Sequence, residues 1–391
     1  MVYGQSPPSL VMVLEHVEFN KAVRGKTSRR LTQEFEVNIN ADKLSQPIDV
    51  DVYLQGNTVR EMKNMDDYPF RSVENSLEFI KELKTYGIHS ITLRLVGKPS
   101  YNDWNVYDVL RDHVNAFKNI RACYPKGTLH ITVDPFSIGL NEDGTWGIKN
   151  KSGQLDYLET IELISNISMS FGKAGTDSIL TLGRIEGEVE VTKKVLEKIE
   201  SDTTITSFSQ NTETKNAYMY LENTPARLDT GQKILVGNVT EMNLHTLIDI
   251  YEGTNTIIVK PIENFHLITL TSLFLKDKYK IIDFLTSEKV KNTLEYHPSM
   301  REKVLDILFN IDDFFAKCKE VKIGGYTVSG TYYLHKSFEN EKGKNFSFGV
   351  IDELLKNAIS ASDSCISTII DRNALWYLKQ KDEQLAELNK K

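Results

Sequence analysis

The stretch Thr256-Ile257-Ile258-Val259-Lys260-Pro261 decides which fold the chain is expected to adopt. Four β-branched residues run directly into a lysine. The run is too short for a buried helix, so it predicts a fully buried strand. Because Pro261 cannot donate to a strand ladder, we expect the strand to end at Lys260. In α/β barrels, the carboxyl ends of the strands form the face that carries catalytic groups.

Lys260 is open to two interpretations at this point. Burying a charged lysine costs free energy, so we expect its pKa to fall, and the neutral amine is the form that reacts with a carbonyl group to give a Schiff base. Alternatively, the side chain reaches the rim of the barrel or pairs with a carboxylate and keeps its charge. The six residues alone favour neither interpretation.

Seven further strand candidates lie along the chain, mostly separated by helical patterns: 48–54, 90–96, 129–134, 178–182, 203–208, 321–328 and 365–370. Such alternation predicts parallel strands joined by right-handed crossovers. Eight strands in a chain of 391 residues favour a (β/α)8 TIM barrel over an open sheet. The segment between Pro261 and Val321 is longer than one crossover helix requires. We therefore predict a helical insertion at about 270–318, between strands six and seven.

Residues 1–45 are polar and irregular, and they contain the basic run Arg24-Gly25-Lys26-Thr27-Ser28-Arg29-Arg30. We interpret them as an N-terminal arm that packs against another surface, such as a second subunit. A solvated leader is the alternative, since most charge runs are solvated. The barrel is then expected to span residues 46–391.

Composition narrows the class of protein. A hydrophobic content of 40% is sufficient for a large core, and a formal net charge of -7 argues against a nucleic-acid groove. Cys123, Cys318 and Cys365 have the spacing of neither a disulfide framework nor a zinc knuckle, which indicates a reducing compartment. No signal peptide, lipidation motif or long apolar run is visible, so we expect a cytoplasmic protein without a membrane partner.

An ordered set of motifs resembles porphobilinogen synthase, also called 5-aminolevulinate dehydratase. The markers are Glu252-Gly253, then Ile258-Val259-Lys260-Pro261, then Gly325-Tyr326-Thr327-Val328-Ser329-Gly330-Thr331-Tyr332. The resemblance runs from about Arg29 to Leu378. It implies a barrel enzyme that condenses two 5-aminolevulinate molecules into a pyrrole, and a homo-oligomer in which the N-terminal arm wraps a neighbouring subunit.

The resemblance also implies roles for four retained residues. Lys260 corresponds to the imine-forming lysine that holds the first substrate. Tyr326 and Ser329 match the residues that pack against that substrate and bind its carboxylate. Asp134 matches the aspartate that closes the third strand, where it would assist proton transfer.

Two departures concern the second substrate. Asn211 stands where the family has a second lysine, and an amide neither forms an imine nor lowers the pKa of Lys260 by charge repulsion. In the lid region, where the family has arginines that clamp a carboxylate, Arg227 remains as the single candidate ligand. Ile369 replaces the last-strand tyrosine that shares carboxylate binding.

A third departure concerns the metal. Many family members hold a catalytic zinc with three cysteines after the third strand, and those positions are Phe136, Ile138 and Trp146 here. None of these side chains can ligate a metal. We predict no zinc at this loop, whereas the sequence leaves magnesium binding elsewhere open. The nearby Asn141-Glu142-Asp143-Gly144 is interpreted as a turn.

Two hypotheses of different classes remain. The first is a diverged enzyme of the lyase, dehydratase-like type, which binds an amino-ketone or keto acid through an imine on Lys260 in specialised metabolism. The second is a non-catalytic paralogue that acts as a structural or regulatory subunit, in a homo-oligomer or in a hetero-oligomer with an active paralogue. We favour the enzyme, because a buried lysine without a use is destabilising.

Overall fold

The computed structural model describes residues 37–101, 103–183, 185–214 and 234–388. The chain divides into two compact units, residues 1–40 and 41–391. Most of the predicted N-terminal arm, including its basic run, therefore lies outside the described residues. The first barrel strand begins at Leu44, so the last two residues of the predicted arm belong to that strand.

The described residues form eleven strands: β1 (Leu44–Asp51), β2 (Val59–Arg60), β3 (Phe70–Arg71), β4 (Ser90–Val96), β5 (His130–Asp134), β6 (Ser178–Thr181), β7 (Thr204–Glu213), β8 (Ile234–Leu235), β9 (Thr256–Lys260), β10 (Lys322–Tyr326) and β11 (Ile366–Ile370). Eight of them are parallel neighbours in the order β1-β4-β5-β6-β7-β9-β10-β11. Pairing of Leu44 with Ile369 and of Ser45 with Ile370 closes the ring. The predicted TIM barrel is confirmed.

A one-turn 3-10 helix (Ala41–Lys43) and thirteen α-helices accompany these strands: α1 (Val73–Thr85), α2 (Val106–Cys123), α3 (Tyr157–Lys173), α4 (Glu188–Lys198), α5 (Val239–Glu252), α6 (Phe265–Lys276), α7 (Lys278–Leu285), α8 (Glu288–Tyr296), α9 (Pro298–Phe309), α10 (Ile311–Cys318), α11 (Ser329–Lys342), α12 (Lys344–Ala361) and α13 (Ala374–Leu388). None of the described helices is long and apolar enough to cross a membrane.

The insertion between the sixth and seventh barrel strands consists of α6 to α10 and begins at Phe265. Its helices share one apolar cluster with α5 and β9, in which Ile257, Phe274 and Ile307 are fully buried. Ile257 thus faces the helices. Because side chains alternate along a strand, Ile258 and Lys260 face the barrel interior.

Strand β7 is longer than the sequence predicted, since it continues from the expected end at Phe208 to Glu213. A register shift between Ser207 and Gln210 marks a bulge, after which pairing with β9 resumes. The polar residues of this extension are stabilised by the helices outside the barrel. The Gln210 amide donates to the hydroxyls of Thr246 (2.8 Å) and Thr271 (2.7 Å).

Candidate active site

Lys260 ends strand β9, behind three aliphatic residues that are completely buried. Its own side chain is half-buried. The ammonium nitrogen lies 5.0 Å from the centroid of the Tyr326 ring and 5.4 Å from that of Phe208. The two rings are 5.6 Å apart and inclined at 45°. The lysine therefore lies at the carboxyl end of the barrel against an aromatic wall.

Tyr326 ends the next strand, β10, and exposes 6% of its surface. Burial raises the pKa of the Tyr326 phenol above its ordinary value. The charges of Arg372 and Arg94 oppose that rise, whereas Asp49 and Asp134 support it. The phenol therefore stays protonated at neutral pH and can donate a hydrogen bond.

Asn211 is paired in register with Lys260 on the neighbouring strand, so both side chains face the mouth of the barrel. It exposes 2% of its surface, and its Nδ2 has no hydrogen-bond partner within the described part of the chain. Buried donors are normally satisfied. This unsatisfied amide beside the Lys260 amine is suited to donate a hydrogen bond to a substrate oxygen.

Asp134 and Ser329 are both deeply buried, at 7% and 1% exposure. Asp134 closes β5 and accepts a hydrogen bond from the backbone of Phe136 (2.9 Å). Ser329 is the first residue of α11, and the N-terminus of a helix favours an anion. Arg227, the remaining sequence candidate, lies outside the described residues.

The loop after β5 is filled by side chains that cannot ligate zinc. Phe136, Ile138 and Trp146 are buried, and the Trp146 indole donates to the Phe136 carbonyl oxygen (2.8 Å). A Cβ at Gly139 would approach the indole to 2.6 Å, so glycine is required there. These residues do not fit a catalytic zinc. The predicted turn is present, with Gly144 donating to the Asn141 carbonyl oxygen (3.0 Å) at a φ of 83°.

Three charged residues near Tyr326 were not identified by the sequence analysis. Asp49 and Arg94 are register neighbours on β1 and β4 and form an ion pair. Arg372 follows β11, and its guanidinium carbon lies 5.5 Å from the Tyr326 ring. The sequence contained a usable pattern, namely a charged residue between two aliphatic ones, in Ile48-Asp49-Val50 and in Leu93-Arg94-Leu95. Because parallel sheets are covered on both faces, such a charge must face a specific partner.

The structure thus brings Lys260, Tyr326 and Asn211 together at one end of the barrel. An amine close to a protonated phenol and an unsatisfied amide donor is an arrangement that can support imine formation with a small carbonyl compound.

Comparison with known proteins identifies the family and the fold. The chain matches the family model of delta-aminolevulinic acid dehydratase over residues 18–271. No curated protein sequence matches it. The delta-aminolevulinic acid dehydratase (porphobilinogen synthase) of Toxoplasma gondii, solved in complex with porphobilinogen, has the same fold. The TM-score is 0.68 at 16% identity, over 96% of this chain and 91% of that chain.

Two other solved structures give lower TM-scores. The 7,8-dihydropteroate synthase of Vibrio fischeri has a TM-score of 0.38 at 8% identity, over 89% of this chain and 94% of that chain. The carboxyl transferase domain of Rhizobium etli pyruvate carboxylase has a TM-score of 0.34 at 9% identity, over 90% and 42%. Since the family model covers well over half of its length, the chain belongs to the delta-aminolevulinic acid dehydratase family.

Proposed function

We propose that this chain is a diverged, porphobilinogen synthase-like enzyme that forms a Schiff base between Lys260 and the carbonyl group of an amino-ketone or keto acid. The observation that carries the proposal is the position of Lys260 at a strand end, 5.0 Å from the Tyr326 ring and beside the unsatisfied amide of Asn211.

The chemistry needs a nitrogen nucleophile and a proton donor. The neutral Lys260 amine would attack the carbonyl carbon, and a C–N bond would form as the carbonyl oxygen takes up a proton. Loss of that oxygen as water would then leave the imine. We assign the proton donation to the protonated phenol of Tyr326, with the carboxyl group of Asp134 as the second candidate.

The substrate carboxylate would be held separately from the reacting carbon. Ser329 at the start of α11 supplies a hydroxyl at a helix N-terminus, and Arg227 is a second candidate ligand. With Asn211 in place of a second lysine, one imine would form per site. We therefore do not expect porphobilinogen to be made by the usual zinc-dependent two-lysine route.

Borohydride trapping tests the proposal. The protein is incubated with 5-aminolevulinate or a panel of keto acids and reduced, and any adduct is mapped by mass spectrometry. We expect the adduct on Lys260 and its loss in Lys260→Ala. Lys98→Ala is the matched control, because Lys98 is another partly buried lysine and burial lowers its pKa. An adduct that follows Lys98 instead would overturn the assignment.

A non-catalytic paralogue is the second candidate, and the filled loop after β5 favours it, since Trp146 occupies the place of a catalytic ligand. Such a subunit would assemble through residues 1–45, either with itself or with an active paralogue. No adduct with any carbonyl compound, in protein that is folded by circular dichroism, would support this alternative.

We also propose a cytoplasmic setting. The thiols of Cys123, Cys318 and Cys365 are all free, as in a protein kept in a reducing compartment.

A further inference from the structure

A cavity of about 210 Å³ is lined by residues other than Lys260, Tyr326 and Asn211, although Arg372 in its wall also lies near Tyr326. Its lining comes from the first barrel strand, the segment before α1, helices α11 and α13 and the residues after β11. The residues that matter for its chemistry are Asp49, Arg71, Lys336, Arg372, Asn373 and Lys379.

Positive charge dominates this cavity. Four basic side chains line it, against the two carboxylates of Asp49 and Asp67. Two of the four are neutralised by carboxylates that they contact directly: Lys336 lies 3.0 Å from Asp67, and Lys379 lies 2.6 Å from Glu82.

The other two basic residues, Arg71 and Arg372, have no carboxylate within 4.0 Å among the residues that the structure describes. Arg71 donates to the side-chain oxygen of Asn75 (2.6 Å), and burial lowers the pKa of its guanidinium. Guanidinium groups that are partly or deeply buried without a carboxylate in direct contact are costly, and an anionic ligand would reduce that cost.

Arg372 is the more deeply placed of the pair, with 8% of its surface exposed. Its guanidinium carbon lies 5.4 Å from the Tyr68 ring, and one terminal nitrogen donates to the Thr327 carbonyl oxygen (3.4 Å). Its Nε has no hydrogen-bond partner in the described part of the chain. Buried donors are normally hydrogen-bonded, so this fixed and unsatisfied N–H is available to donate to a ligand.

Two buried acceptors on the same cavity are also unsatisfied among the described residues. Asp49 uses one carboxylate oxygen for Arg94, and its Oδ2 has no partner. Asn373 donates through its amide to Asp371 (3.3 Å), and its Oδ1 has no partner. A ligand that satisfies this cavity therefore carries a hydrogen-bond donor in addition to its negative charge.

We propose that this cavity binds a small carboxylic acid that also carries a hydroxyl or ammonium group. The carboxylate lies on Arg372 and Arg71, and the donor lies on Asp49 and Asn373. The site does not require a carbonyl group or Lys260. It is therefore a binding site in addition to the proposed Schiff-base site.

Equilibrium dialysis of the full chain against radiolabelled lactate, alanine and propionate tests this site. None of the three has a ketone, so none can form an imine. We expect lactate or alanine to bind more tightly than propionate, which has the carboxylate but no donor. Arg71→Gln and Arg372→Met should each weaken binding roughly ten- to hundredfold, the effect of losing a charged hydrogen bond.

Three further variants keep the outcome clear. Asn373→Ala should reduce the preference for lactate or alanine over propionate. Arg60→Gln is the matched control, because Arg60 pairs with Asp51 outside the cavity lining and should bind like the parent. Lys260→Ala should bind normally, so failure of the Schiff-base proposal would not affect this result. No binding of any acid, or binding unchanged in Arg71→Gln, would overturn the inference, as would binding that Lys260→Ala abolishes.

Discussion

The ammonium nitrogen of Lys260 lies 5.0 Å from the centroid of the Tyr326 ring, across the ends of two neighbouring strands. Phe208 supplies a second ring at 5.4 Å. An aromatic face attracts a cation, typically by roughly 0.5–1 kcal/mol at an exposed site. The two rings therefore favour the charged lysine, whereas burial favours the neutral amine that reacts.

Removing either ring should make Lys260 reactive at lower pH. We expect the pH midpoint of adduct formation to fall by about half a unit in Tyr326→Leu and in Phe208→Leu, from the loss of one cation–π contact. Trapping rates measured from pH 6 to 10 would show the shift. Tyr326→Phe retains the ring and should keep the parental midpoint. An equal fall in that variant would assign the effect to the hydroxyl.

Introducing a second amine next to Lys260 should also lower the pH at which Lys260 forms an adduct. Asn211 is in register with Lys260, so Asn211→Lys places a like charge beside it. We expect the midpoint of adduct formation to fall by on the order of one unit. Asn211→Met is the control, since it has similar length and no charge. Equal midpoints for the two variants would mean that the introduced lysine does not face Lys260.

Gly325 leaves space for the side chain of Ile262, which lies two residues after Lys260. A Cβ at Gly325 would lie 2.5 Å from the Ile262 side chain. We expect Gly325→Ala to destabilise the protein by roughly 1–3 kcal/mol, because overpacking forces neighbours to move. Chemical denaturation measures the free energy of unfolding, and the yield of the trapped Lys260 adduct should fall in the same variant.

The contrasting variant is Gly349→Ala in α12. A Cβ at Gly349 meets nothing within 4 Å, and alanine favours a helix over glycine by roughly 0.5–1 kcal/mol. It should therefore be neutral or stabilising. If both alanine variants lost comparable amounts of unfolding free energy, the packing explanation for Gly325 would be refuted.

Buried histidines should make the fold sensitive to mild acid. Burial lowers the pKa of His113 to about 4, despite its hydrogen bond to the Gly97 carbonyl oxygen (3.2 Å), and burial lowers the pKa of His335 to about 4 as well. Well above pH 6.5 these imidazoles are neutral in both the folded and the unfolded chain, so they do not change the free energy of unfolding. As pH falls from 6.5 towards 4, the unfolded chain binds the proton and the folded chain does not, so stability is lost.

Urea unfolding at pH 7.5 and 5.0 measures that loss. For His113 it should be about 2 kcal/mol at pH 5, and His113→Gln, which keeps a donor for Gly97, should lose correspondingly less between the two pH values. A His113→Gln profile with the parental slope would contradict the assignment.

The barrel could be predicted from sequence because eight short strand patterns alternate with helical ones, and the apolar run of β9 ends at a strong breaker, Pro261. The candidate lysine followed from the same logic, since Pro261 marks where β9 must end. Helix α11 was not predicted: Ser329–Lys342 contains few aliphatic residues, and its buried positions, such as Tyr332 and His335, are polar or aromatic. Its helical state depends on tertiary packing, which local periodicity does not encode.

The charged residues around Tyr326 were harder to predict for another reason. Asp49 and Arg94 lie on two different strands and Arg372 follows a third, so a charge within one apolar run does not identify its partners. Only the register of β1 with β4, and the closure of β11 onto β1, brings them to one end of the barrel. Chain order gives no direct measure of that proximity.

The strand pairing that closes the ring is short. β1 pairs with β11 through two residue couples, as β5 does with β6, whereas β1 pairs with β4 through six. The Gln46 side chain supplements the closing pairing by donating to the Arg372 carbonyl oxygen (3.0 Å) and accepting from the Leu375 backbone (3.1 Å). Local opening should start where the fewest contacts must break. Amide protons between β1 and β11 should therefore exchange with solvent before those between β4 and β5.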